Sequence, residues 1–247
     1  ALRAGCGRVS VYTEKESRPI VHSVLPEAMT IDFDPLVEKW KKRKSNELRK
    51  ALENYSVLCI GPGLGKFSRA LHLLKALGEN FKGPVVMDAD ALNLLSLNPE
   101  IIRVFSQEKI LTPQPGEAAR LLGVTTRDVE ADRVQSILNL QKKYNSTILL
   151  KGANSLVSDS GVSTLHLTGT PAMAQGGMGD VLSGIIASFM GQGLLPYDAS
   201  NLGVCLHGLC AEYLEEEKGP FGFMAKETAD ILPFIVKKLG KNPKRSL

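Results

Sequence analysis

Apolar residues recur along this chain in two alternating rhythms. Short runs rich in Val, Ile, Leu and Thr predict strands over 8–12, 56–60, 84–88, 109–112, 147–151, 155–158 and 164–168. Between them, spacing of three and four predicts helices over 35–42, 47–53, 68–77, 91–96, 99–105, 116–122, 128–143, 179–190, 197–217 and 226–239. Such alternation indicates a mostly parallel central sheet with helices on both faces, an α/β fold. The last two strand runs are separated by Asp159-Ser160-Gly161, which reads as the turn of a small antiparallel edge hairpin. No linker-like stretch or internal repeat interrupts the pattern, so one domain over 1–247 is expected.

The most informative stretch is Gly176-Gly-Met-Gly-Asp-Val-Leu-Ser-Gly184. Val181, Leu182, Ile185, Ile186, Phe189 and Met190 follow at helical spacing, so a helix starts near Gly179 with Asp180 in its first turn. The first turn of a helix offers unpaired N–H groups and a partial positive charge, which suit phosphate oxygens. Glycines at 176, 177 and 179 let a phosphate approach the backbone closely. A carboxylate there repels a resting anion. It fits better as the base that takes a proton from a hydroxyl receiving phosphate.

Open parallel sheets bind ligands at the carboxyl ends of their strands. Four further polar exits line up on that edge: Gly61-Pro-Gly-Leu-Gly65, Asp88-Ala-Asp90, Thr112-Pro-Gln-Pro-Gly-Glu117 and Lys151-Gly-Ala-Asn154. The first fits neither a P-loop nor a dinucleotide fingerprint, because its spacing is wrong and Phe67 stands where a Ser or Thr is needed. It reads as a close strand-to-helix turn touching a ligand. Asp88 is a candidate for attracting magnesium. Asp90 either does the same or caps the next helix. Glu117 serves first-turn electrostatics or orders water around magnesium, and Lys151 places a cation at the open end of an apolar strand.

Composition narrows the classes. A formal charge of +4 on 247 residues, with no aromatic interleaving among its basic runs, argues against a nucleic-acid partner. No apolar run reaches membrane-spanning length and no signal peptide is visible. Cys6, Cys59, Cys205 and Cys210 have no metal or redox spacing and read as reduced core thiols of a cytoplasmic protein. His207 lies in an apolar helical run and reads as a satisfied core residue.

Together, Gly61-Pro-Gly-Leu-Gly, Asp88-Ala-Asp-Ala-Leu-Asn-Leu-Leu, Leu111-Thr-Pro-Gln-Pro-Gly-Glu-Ala-Ala-Arg-Leu-Leu-Gly, Leu150-Lys-Gly and Gly176-Gly-Met-Gly-Asp-Val-Leu-Ser-Gly-Ile-Ile resemble the ADP- or ATP-dependent NAD(P)H-hydrate dehydratases. These are metabolite-repair enzymes of the ribokinase-like superfamily. The resemblance implies a reaction in which the ring hydroxyl of hydrated NADH or NADPH is phosphorylated from ADP or ATP and phosphate then leaves. It implies Asp180 as general base, with Gly63, Gln114 and Asp180 at the damaged cofactor. Lys151, Gly152, Ala153, Asn154, Ser155 and Leu156, with Gly177, Met178 and Gly179, would hold the nucleotide. Glu117 would act through magnesium-bound water, and Mg2+ is the implied metal. Thr-Pro-x-Pro-Gly-Glu favours ADP over ATP.

The resemblance also implies a homo-oligomer and frequent fusion to an epimerase domain. Gln114 stands where many bacterial members have His, which keeps hydrogen bonding but loses titration. The family's first strand and glycine-rich segment are expected to be missing before Ala1. A small-molecule kinase of the same superfamily shares the Gly-x-Gly-Asp helix start and is the nearest alternative enzyme. A non-catalytic nucleotide-binding module is the alternative outside enzymes.

Overall fold

A computed structural model of the chain describes residues 1–32, 45–65, 68–105 and 108–240. The helix expected over 35–42 lies outside them. The chain opens with β1 (Ser10–Thr13), α1 (Arg18–Val24) and β2 (Met29–Asp32), in which β1 and β2 pair in parallel. Sequence reading placed β1 but missed α1 and β2, because Pro19 opens a helix of seven residues with no buried face and only Thr30 is buried in the strand. Tyr12 meets Tyr55 edge-on, with ring centroids 5.9 Å apart, tying this pair to the main body.

The main sheet contains β3 (Leu58–Ile60), β4 (Val85–Met87), β5 (Lys109–Leu111), β6 (Thr147–Leu150), β7 (Leu156–Asp159) and β8 (Val162–Leu165), adjacent in that order. From β3 to β6 the strands run parallel, whereas β7 runs against both β6 and β8. Helices α2 (Ser45–Leu52), α3 (Ser68–Asn80), α4 (Ala89–Leu97), α5 (Pro115–Leu122), α6 (Thr126–Ala131) and α7 (Arg133–Tyr144) contribute to one core. Helices α8 (Met178–Gly191), α9 (Pro196–Lys218) and α10 (Ala225–Gly240) build another.

Strand β4 shows why the central runs are apolar throughout. Val85 and Met87 point into the first core, Val86 into the second, and each is buried. The same division separates Ile148 and Leu150 from Leu149.

Three boundaries differ from the sequence pattern. The helix expected over 128–143 is two helices, because Thr125 caps α6 and Asp132 breaks from helical geometry (φ −144°) to accept from Gln135 N at 2.8 Å. Residues Pro99–Val104 form a 3-10 helix instead of an α-helix. Helix α4 begins at Ala89, with Asp88 as its N-cap.

Candidate active site

The parallel order of β3–β6 sends their carboxyl ends to one edge, and β8, antiparallel to β7, returns its own end there. Backbone bonds extend the ladder past the strands: Asp88 N donates to Ile60 O at 3.0 Å, Thr112 N to Met87 O at 3.0 Å, and Lys151 N to Pro113 O at 2.8 Å. The polar exits are thereby stitched together before any side chain is considered.

At the centre lies a buried pair. Lys151 Nζ is 2.6 Å from Asp88 Oδ1, and the two side chains are 11% and 1% exposed. Asp88 Oδ1 also accepts from Ala89 N at 2.8 Å, while Oδ2 accepts from Ser183 Oγ at 2.5 Å. Every partner comes from a different segment, so Asp88 joins the end of β4, the end of β6 and the second turn of α8. A buried charge pair needs such supporting bonds to offset desolvation. Lys151 is therefore no surface lysine, and Asp88's oxygens are occupied by protein donors. Asp90, weighed beforehand as a helix cap or a ligand, instead accepts from Gly65 N at 2.9 Å.

The first turn of α8 stands over this pair. Gly177 opens the helix with φ 87° and offers no side-chain cap, leaving the turn's amides free of one. A Cβ placed on Gly179 would lie 3.2 Å from Lys151 Nζ, so the glycine keeps the ammonium directly beside the helix start. Asp180 is exposed on the same turn. Partial burial, and then the charge of Asp88, raise its carboxyl above the usual range, while Lys151 pulls it back. It is coupled to the strand tips rather than remote from them.

A cavity of about 790 Å³ opens beside this turn. Gln114, Lys151, Gly152, Ala153, Asn154, Ser155, Met178 and Gly179 all line it. Leu156 is instead buried in β7, and Gly177 caps α8 without lining the cavity. Asp180 borders a second hollow of about 270 Å³ with Val181 and Ile185. In the Gly61 turn the glycines divide the work. A Cβ on Gly61 would fall 1.7 Å from the Asp88 carbonyl, a purely internal constraint. Gly63, at φ +67°, has open space before it.

Glu117 sits in the first turn of α5, with Oε2 accepting from Gln114 N at 2.8 Å. Burial, the largest influence, raises its pKa. Among the described residues no three His, Cys, Asp or Glu side chains cluster to hold a metal ion.

Three positions escaped sequence reading. Ser183 is an ordinary helical serine in the pattern, yet it completes the Asp88 network. Arg133 Nη2 donates to Leu150 O at 3.3 Å and Lys151 O at 3.2 Å, holding the exit of β6. His207 lines the cavity 3% exposed, and its Nε2 has no partner, contrary to the satisfied core residue expected. The usable signal was a lone imidazole followed at once by a glycine in an otherwise apolar helix. Of the four cysteines, all free, Cys210 is buried but Cys59 is exposed, contrary to a core thiol.

Residues 1–234 match the family model for NAD(P)H-hydrate dehydratase. The chain belongs to that family. It is 39% identical over 238 residues to the bifunctional NAD(P)H-hydrate repair enzyme of Escherichia coli, covering 96% of this chain and 43% of that protein. It is 33% identical to the ADP-dependent (S)-NAD(P)H-hydrate dehydratase of Neisseria meningitidis, covering 98% of this chain and 79% of that one. The chain thus spans less than half the length of curated bifunctional relatives. The ADP/ATP-dependent NAD(P)H-hydrate dehydratase of Bacillus subtilis, co-crystallised with ATP and Mg2+, superposes with a TM-score of 0.78 at 27% identity, covering 96% of this chain and 81% of that one. The family's ribokinase-like fold accounts for the layered sheet described above. No described helix is long and apolar enough to cross a membrane.

Proposed function

We propose that this chain dehydrates hydrated NADH or NADPH at the expense of ADP, restoring the reduced cofactor. The observation carrying this reading is the uncapped start of α8 with Lys151 beside Gly179 and Asp180 on the same turn. Amides, helix dipole and ammonium converge on one point, which suits a migrating phosphoryl group. Asp180 takes the proton of the ring hydroxyl as that oxygen attacks the β-phosphorus of ADP, and AMP leaves with the electrons of the broken P–O bond. Inorganic phosphate then departs from the ring carbon, with loss of a ring proton restoring the double bond.

The chain's own residues divide into holders and actors. Lys151 to Ser155, Met178 and Gly179 hold the nucleotide along the cavity, while Gln114 and Gly63 face the damaged cofactor. Asp88 acts as a positioning residue, because it fixes the ammonium of Lys151 against α8. Mg2+ enters with the nucleotide and supplies charge neutralisation on its phosphates. Glu117 would meet it through water, with Oε1 the oxygen that Gln114 N does not engage. Similarity to the ADP-dependent dehydratase of Neisseria meningitidis supports ADP as phosphoryl donor.

The experiment is direct. The chain is incubated with hydrated NADH, ADP and Mg2+, and recovery of NADH absorbance is followed. Recovery accompanied by one phosphate and one AMP per NADH is expected. A stable phosphorylated product would instead establish a kinase, and no recovery from folded protein with either ADP or ATP overturns the reading.

A further inference from the structure

Gly63 and Gln114, the two residues assigned above to the damaged cofactor beside Asp180, belong to different segments. One sits in the turn Gly61-Pro-Gly-Leu-Gly65 and the other caps α5. A chain of side-chain bonds runs between those segments. Gly65 N donates to Asp90 Oδ2 at 2.9 Å. Asn93 Nδ2 donates to Asp90 Oδ1 at 3.3 Å. Arg120 Nε donates to Asn93 Oδ1 at 2.8 Å. Asp90 and Asn93 lie three positions apart in α4 and so share one face. Arg120 follows Glu117 by one turn of α5, and the Glu117 carboxylate bonds the backbone of Gln114.

Each member has the chemistry its place demands. An ionised carboxylate only accepts, a guanidinium only donates, and an amide does both. Asn93 can therefore accept from Arg120 and donate to Asp90 at once. Both of its bonds end on a charged partner, the stronger class of hydrogen bond. Asp90 engages both oxygens in this chain, although a first-turn acid needs no such partners to favour its helix. The turn is pinned at both ends by α4. A Cβ on Gly61 would fall 1.7 Å from the Asp88 carbonyl, so that glycine lies flush against the helix start, while Gly65 is tied to Asp90. Between them Gly63 has φ +67° and nothing within 4 Å of a Cβ. A glycine held on both sides and open in front offers its backbone to a ligand.

We propose that Asp90, Asn93 and Arg120 are positioning residues that hold Gly63 in place relative to Gln114 and so set the opening that receives the hydrated dinucleotide. The link to that ligand rests on the function proposed above. On the same reading ADP lies against Lys151 to Ser155 and the start of α8, none of which these three residues bond. Loosening the chain of bonds therefore weakens one ligand and spares the other.

Two measurements test this on the full chain. Amide exchange at Gly65, followed by NMR without ligand, reads the hold on the turn. Titration calorimetry with hydrated NADH alone and with ADP alone reads the two ligands. N93D keeps the size of the side chain but cannot donate to Asp90, and R120M keeps an unbranched stem without a donor. Each speeds Gly65 exchange by about tenfold, the scale of one lost hydrogen bond. Each weakens hydrated NADH by about tenfold to a hundredfold, the scale of a misplacement of about 1 Å, and leaves ADP within about threefold. R120K restores a donor where Arg120 makes a single bond, and keeps hydrated NADH within about threefold of the wild type. If N93D does not fold, R120M, at an exposed position, reads the same contrast. Unchanged affinity for hydrated NADH, equal weakening of both ligands, or no rescue by R120K overturns the proposal. A wild type that fails to bind hydrated NADH overturns the function proposed above and this link with it. A Gly65 amide unmoved by either variant overturns the chain of bonds alone, so the two failures are told apart.

Discussion

The two ends of the crevice differ in what they leave unsatisfied. Under α8, Asp88 bonds both Lys151 and Ser183, and its two oxygens are satisfied without any ligand. At the other end, Thr168 Oγ1 and His207 Nε2 are buried with no hydrogen-bond partner among the described residues. The first region uses its polar groups to hold the chain in one shape, with the Lys151 ammonium fixed beside the start of α8 and Asp180 left outside the network. The second region leaves two polar atoms desolvated without a compensating bond, which lowers stability.

This contrast can be broken at several points. The largest effect is expected at Asp180. D180N should lower turnover by about a hundredfold to ten-thousandfold, the range for loss of a general base, while ADP affinity measured by calorimetry stays within about threefold. Turnover equal to wild type would remove the base role. The wild-type rate should also fall on acidification at a pH above the ordinary aspartate value, because the raised pKa protonates the base there.

Next comes the closed network. D88A strands a buried ammonium, and a cost of about 3–5 kcal/mol in urea unfolding is expected. A loss below about 1 kcal/mol, the scale of an exposed pair, would mean the network is looser than its 2.6 Å separation implies.

The open end sharpens the comparison through pH. His207 has an ordinary value of 6.5 that burial lowers to about 4. Between these values the unfolded chain binds a proton that the folded chain does not, so stability falls as pH drops through that window. The contribution is at most about 3 kcal/mol, and thermal unfolding of H207Q, which cannot titrate, should lose correspondingly less between pH 7 and pH 4.5. Identical profiles would indicate that His207 is protonated in the folded state.

The smallest effect is expected at Gly208. G208A forces a methyl group to within 2.5 Å of Thr168 Oγ1 and 2.7 Å of its backbone. Overpacking of this kind costs about 1–3 kcal/mol in urea unfolding. A variant of wild-type stability would show that this wall yields easily.

Much of the crevice was legible beforehand. The apolar runs marked β3 to β8, and the turn residues after them marked the edge where Lys151, Gln114 and the start of α8 now meet. Helix starts were read well where an apolar period follows glycine or proline, as at α5 and α8. Where a short polar side chain intervenes, the reading failed: Asp132 splits a continuous period because its carboxylate caps the backbone at that point. The missing β2 and α1 have too little buried surface to write a period at all.

By itself, the order of residues determined the layered α/β class, the positions of the strand ends and the glycine-rich helix start with its acid. These are local matters of period, glycine and first-turn chemistry. Tertiary structure alone decided who satisfies whom. Asp88 reaches Ser183 across 95 positions of chain, and Thr168 shares a wall with His207 only because a glycine lets α9 approach. Whether a buried polar atom is paired or orphaned depends on such distant neighbours, and no spacing along the chain records them.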